Sequence, residues 1–104
     1  MKRFIATAII LAFAAVAQAK DCRTTTDCLM WFDGFRAGVV ARTCSYNEQQ
    51  CKAMMVSDVI DGTAVGIDKG TKVDDVHSVP DTPCDIVELN GRLLVTFKGI
   101  VKCR

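Results

Sequence analysis

The chain has 104 residues, 13 Lys and Arg against 12 Asp and Glu, one His and six Cys. That length allows a single domain. A formal charge of +1 supplies no Lys/Arg excess of the kind that marks a nucleic-acid-binding protein.

Residues 1–19 read as a secretory signal peptide. Lys2 and Arg3 form a short positive region, residues 5–17 are apolar except for Thr7, and Ala17-Gln18-Ala19 is a small-x-small cleavage site. The apolar run, about 13 residues, is shorter than the roughly 20 needed to span a bilayer as a helix. An uncleaved anchor is the alternative. A lipid-accepting role for Cys22 is disfavoured, because Lys20 and Asp21 stand where small or aliphatic residues are required. Cleavage after Ala19 removes Lys2 and Arg3, leaving 85 residues with 11 basic and 12 acidic groups, a net charge of −1. No second run is long enough to cross a membrane. The expected product is a periplasmic or secreted domain over residues 20–104.

Cys22, Cys28, Cys44, Cys51, Cys84 and Cys103 all lie beyond the signal. In an exported chain of this size an even number of cysteines reads as a disulfide framework. A small domain buries little core, and each bridge adds about 2–4 kcal/mol. Three bridges are the expectation. Two bridges with a free pair, or metal ligation, are the alternatives. There is no Cys-x-x-Cys, and His77 is far in sequence from any cysteine pair, so a metal site is disfavoured and no cofactor is implied. The pairing stays open. Cys44 and Cys51 are close enough for a small loop, and Cys84 and Cys103 are not assigned to each other.

Residues 27–42 read as a helix. Thr26 or Asp27 caps it, and Cys28, Phe32, Phe35 and Val39 recur at helical spacing. Gly34 and Gly38 form a bare stripe, read either as tight internal packing or as a glycine-lined groove for a partner. Trp31, Phe32 and Phe35 span more than half the helix circumference, so at least one is expected at the surface. Trp31 is the candidate interface residue, since exposed aromatics anchor interfaces.

A second helix, capped by Asn47, starts near Gln49 and runs to about Asp61. Its continuation toward Asp68 competes with extended structure, because residues 56–67 are rich in β-branched side chains. Residues 70–83 read as a loop broken by Pro80 and Pro83. Its Asp74, Asp75 and Asp81 are either a solvated acidic stretch or a docking surface for a basic partner. Asn90-Gly91, between two β-rich runs, predicts a two-residue hairpin. Its register sets Val87 against Leu94, Ile86 against Val95 and Phe97 against Cys84. Both hairpin faces then carry apolar groups. One is expected on the helices, the other under a third strand near Ile100-Val101 or a partner chain.

Catalytic signals are sparse. His77 is the only group suited to acid–base work near neutral pH, and it reads as a loop residue. There is no Gly-x-Ser-x-Gly elbow and no phosphate-binding glycine loop. Asp33, Asp58 and Asp61 are conceivable members of a carboxylate pair, as any dozen acids would be. The expectation is a protein that is not an enzyme.

The stretch Cys28-Leu29-Met30-Trp31-Phe32-Asp33-Gly34-Phe35-Arg36-Ala37-Gly38-Val39 resembles the Cys-x-x-aromatic-x-x-Gly-x-x-x-Gly helix of the Tai-like family of small periplasmic immunity proteins, which neutralise cell-wall amidase effectors of type VI secretion. The resemblance covers about a quarter of residues 20–104 and assigns no site residues. It implies a mostly helical protein, whereas residues 84–103 here read as β-structure.

The combined expectation is an α+β fold, with two helices packed on a C-terminal β-hairpin or small antiparallel sheet and stapled by disulfides. The expected function is binding of another exported protein, as an inhibitor or immunity protein for a cell-envelope hydrolase. The alternative is a structural or chaperone-like periplasmic protein, with a homodimer possible. Neither reading involves nucleic acid.

Overall fold

The computed structural model describes residues 21–104, so the signal-peptide segment lies outside the described residues. In chain order the elements are β1 (Cys22–Thr24), β2 (Cys28–Trp31), α1 (Gly34–Tyr46), α2 (Glu48–Ile60), β3 (Ala64–Ile67), β4 (Lys72–Val73), β5 (Asp75–Ser78), β6 (Cys84–Leu89), β7 (Arg92–Phe97) and β8 (Val101–Cys103). The fold is α+β. A five-stranded antiparallel sheet, β3-β2-β7-β6-β5, lies between the two helices and a three-stranded antiparallel sheet, β4-β1-β8.

The hairpin forms in the expected register. Val87 faces Leu94, Ile86 faces Val95 and Cys84 faces Phe97. Asn90 and Gly91 both adopt positive φ, 54° and 79°, as this turn requires. Strand alternation then sorts the side chains. Val87 and Leu94 turn toward the three-stranded sheet and pack with Cys22, Val73 and Val101. Val95, Phe97 and Cys84 turn toward the helices and pack with Trp31, Ala37 and Val40. The second hairpin face is thus covered by the chain itself. Val101 takes part, as a strand of the other sheet rather than as a neighbour of β7.

The first helix starts later than its spacing predicts. Residues 28–31 form β2, which pairs with β3 along its whole length and with β7 at Trp31. A strand inside a sheet covered on both faces is apolar throughout, and periodicity cannot separate such a run from a buried helix. Met30 fills one core and Trp31 the other, both fully buried. Asp33 caps α1 instead, its carboxylate accepting the Phe35 amide at 2.9 Å. Asp27 instead accepts the Lys69 amide at 2.7 Å.

Asn47 caps α2 as expected, accepting the Gln50 amide at 3.0 Å. The helix stops at Ile60, Gly62 turns the chain at φ 81°, and the β-branched stretch beyond becomes β3. Residues 70–83 are not a continuous loop. Val73 and Val76 give β4 and β5 an apolar side toward the core between the sheets, and β5 pairs with β6. Two short strands with one inward residue each carry too little pattern to be read from sequence.

Two bridges staple this frame, Cys22–Cys103 across 81 residues and Cys44–Cys51 across 7. The three-bridge expectation fails, since Cys28 and Cys84 are free. Alternation explains it. Cys28 lies on the face toward the three-stranded sheet and Cys84 on the helix face. Burial pushes both thiols above their ordinary pKa, which keeps them protonated and unreactive at neutral pH. Alkylation without reductant should modify neither quickly in the native protein and both after unfolding. Mass spectrometry of the labelled peptides reads this out, and modification of all six cysteines or of none would contradict the pairing.

Candidate functional site

A shallow groove of about 270 Å³ opens between α1 and the β6–β7 side of the five-stranded sheet. Gly34, Gly38 and Arg42 line it from the helix, and Cys84, Ile86 and Val95 line it from the strands. The glycine stripe makes the groove. A Cβ at Gly34 would sit in ordinary contact, 3.5 Å from Val95 Cγ2, and one at Gly38 would meet nothing within 4 Å. The glycines are therefore not required for close packing within the domain. They leave open a surface that side chains would otherwise fill.

The groove carries an apolar group held in water, Phe35, which is 81% exposed. Leu93, on the same face of the sheet, is 67% exposed. Phe35 projects because it falls in the first turn of α1, immediately after the cap. Leu93 sits on the helix-facing side of β7, two residues before Val95. The same sheet face turns acidic beside them. Asp75 lies opposite Glu88, and His77 opposite Ile86, with His77 Nε2 2.9 Å from Asp75 Oδ2.

The acidic candidates are not brought together. Asp75 belongs to the groove face. Asp74 bridges the β4–β5 bend to the hairpin turn, its carboxylate accepting the Asn90 amide at 3.0 Å. Asp81 stands in the turn beyond the other end of β5, with φ 61°. Trp31 is not an interface residue. It is 1% exposed and stacked on Phe97, with centroids 5.2 Å apart. Phe32 is 43% exposed, under the Arg92 guanidinium, and Phe35, which the late start of α1 places at a helix end, is the most exposed of the trio.

Trp31 instead belongs to the polar centre of the fold. Its indole N–H donates to Asp58 Oδ2 at 2.7 Å, while Arg36 donates to both carboxylate oxygens at 2.9 Å. Asp58 is 2% exposed. The Arg36 guanidinium, and then the indole, hold its carboxyl below the usual range against the opposing effect of burial. Arg36 is pushed up in turn by the same pair. This cluster ties β2, α1 and α2 together, and nothing in the local sequence spacing announces it.

Asp33 and Asp61 each accept a neighbouring amide, from Phe35 and Thr63, both at 2.9 Å, and Asp58 is held by Trp31 and Arg36. Among the described residues, no three His, Cys, Asp or Glu side chains are grouped to hold a metal ion. Also among them, no helix is long and apolar enough to cross a membrane. The chain matches no protein-family model, no curated protein and no solved structure.

Proposed function

We propose that this protein is exported and acts by binding another protein in the groove between α1 and β6–β7. An inhibitor or immunity protein for a cell-envelope hydrolase is the form of that activity we favour. The observation that carries the reading is Phe35, 81% exposed on the rim of an apolar groove. Isolated apolar residues at a surface are ordinary, but an aromatic beside a preformed apolar depression is the usual anchor of an interface. Two disulfides support an oxidising compartment. They also hold the scaffold rigid, which lowers the entropy lost on binding. Asp75 and Glu88 on the same sheet face favour a partner with basic groups around an apolar insert.

A second reading has its own observation. β3 ends the five-stranded sheet, and its four residues, Ala64 to Ile67, carry no charge. Val56, Val59 and Ile60 beside it are exposed. Natural edge strands are usually guarded by charge or proline, so this edge suits strand pairing with a second copy, as in a structural or chaperone-like homodimer.

One experiment separates the two. The oxidised protein is cross-linked in periplasmic extract, and its complexes are identified by mass spectrometry. The groove reading expects one stoichiometric partner, whose hydrolase activity falls on addition of the pure protein. Phe35→Asp should weaken that complex at least tenfold with an unchanged thermal midpoint. Only self-cross-links, insensitive to Phe35→Asp, would replace the groove reading with the homodimer.

A further inference from the structure

The outer face of the three-stranded sheet lies on the opposite side of the molecule from the groove. Cys22, Thr24, Val73 and Val101 are buried, so strand alternation turns Arg23, Lys72 and Lys102 outward. Arg23 pairs with Lys72 on one side and with Lys102 on the other. Three exposed cations therefore stand in one row across three strands. Like charges directly opposite each other destabilise a sheet, so folding gives no reason for the row.

The surroundings strengthen it. Arg104 follows two residues after Lys102. Arg104, Lys69, Lys102 and Arg23 line one depression of about 210 Å³. Asp21 lines the same depression, 3.1 Å from Arg23 Nε, and the four cations outnumber it there. Asp74, next to β4, accepts the Asn90 amide at the hairpin turn. None of the exposed large apolar side chains lies on β1, β4 or β8.

We propose that this face binds the anionic headgroups of a phospholipid membrane surface and holds the groove turned away from the bilayer. The proposal is independent of which protein fills the groove. A membrane fits better than a strand-like polyanion for two reasons. The cations spread over a sheet face rather than along a channel, and the aromatic platform that single-stranded nucleic acid uses is missing among the described residues of that face. A long polyanion would also run on to the acidic side of a molecule whose charges nearly cancel, whereas a planar surface meets one face only. With no apolar group to insert, attachment is electrostatic, reversible and screened by salt.

The test is co-sedimentation of the oxidised protein, purified from the secreted fraction of an expressing host, with phosphatidylglycerol-containing vesicles and with pure phosphatidylcholine vesicles. Binding is expected to the anionic vesicles alone and to vanish in high salt. Neutralising one cation should weaken it about fivefold. Lys72→Glu with Lys102→Glu should weaken it beyond detection, while the thermal midpoint stays level or rises, because Glu opposite Arg23 replaces repulsion by attraction. Lys52→Glu, on exposed α2, should leave binding intact. Loss of binding with gain of stability would mark a face kept for its ligand at a cost to the fold. Equal binding by the double variant, no binding to anionic vesicles, or tighter binding to a nucleic acid or acidic polysaccharide would overturn the proposal.

Discussion

Asp58→Ala is expected to destabilise the fold by about 3–5 kcal/mol, the cost of removing one partner from a buried ion pair. The carboxylate is 2% exposed and accepts three hydrogen bonds, one from Trp31 and two from Arg36. Its loss strands the indole N–H in the core and takes from the guanidinium its hydrogen-bonded counter-charge, leaving Asp61 as the nearby acid. Against a total of about 5–15 kcal/mol for a natural domain, this is the largest single-substitution effect expected here. Urea unfolding followed by circular dichroism measures it. Asp58→Asn, which keeps an acceptor but not the charge, should cost less than alanine and more than nothing. A midpoint unchanged by Asp58→Ala would show that the cluster does not hold the helices to the sheet.

The same carboxylate predicts a pH dependence. Its pKa is lowered in the folded protein, chiefly by the Arg36 hydrogen bonds. Below the ordinary Asp value of about 3.9 the unfolded state binds the proton first, so acid favours unfolding. The contribution is therefore fully present above about pH 5 and is lost as pH falls through the folded value. Wild-type urea midpoints should drop in acid more steeply than those of Asp58→Ala. Parallel curves would exclude Asp58 as the source.

The second large effect concerns the bridges. Cys22–Cys103 closes a loop with a sequence separation of 81, and Cys44–Cys51 one of 7. On the chain-entropy account the first restricts the unfolded state by about 4.5 kcal/mol and the second by about 2.5 kcal/mol. Cys22–Cys103 also holds β1 to β8 in the sheet that covers Val87 and Leu94. Replacing Cys22 and Cys103 by serine should therefore lower the thermal midpoint more than the same change at Cys44 and Cys51. The reverse order would mean that Cys44–Cys51, which joins the two helices, contributes mainly through the native state.

Parts of this structure are legible in short stretches of sequence. Asn90-Gly91 forces positive φ at adjacent residues, which only a tight turn uses, so the hairpin and its register could be read directly. Asn47 before a helical run is a local capping signal, and the close pair Cys44 and Cys51 needs little beyond a turn. The misreadings share a cause. Cys28-Leu29-Met30-Trp31 is apolar on both faces because it crosses a sheet covered on both sides, and helical spacing with Phe32 and Phe35 is incidental to that. Once those residues form β2, Trp31 enters the core and Phe35 moves to the rim. The candidate interface therefore shifts by four residues without leaving the same apolar cluster.

By itself the sequence determined the α+β class, the hairpin, the second helix cap and the presence of disulfides, because each rests on a local conformational demand or on composition. The tertiary structure alone decided that Cys22 meets Cys103, where Trp31 points, how Asp58 finds Arg36, and that Arg23, Lys72 and Lys102 stand in one row. These depend on contacts between residues 22 to 81 positions apart, and strand pairing fixes them only when every element is in place.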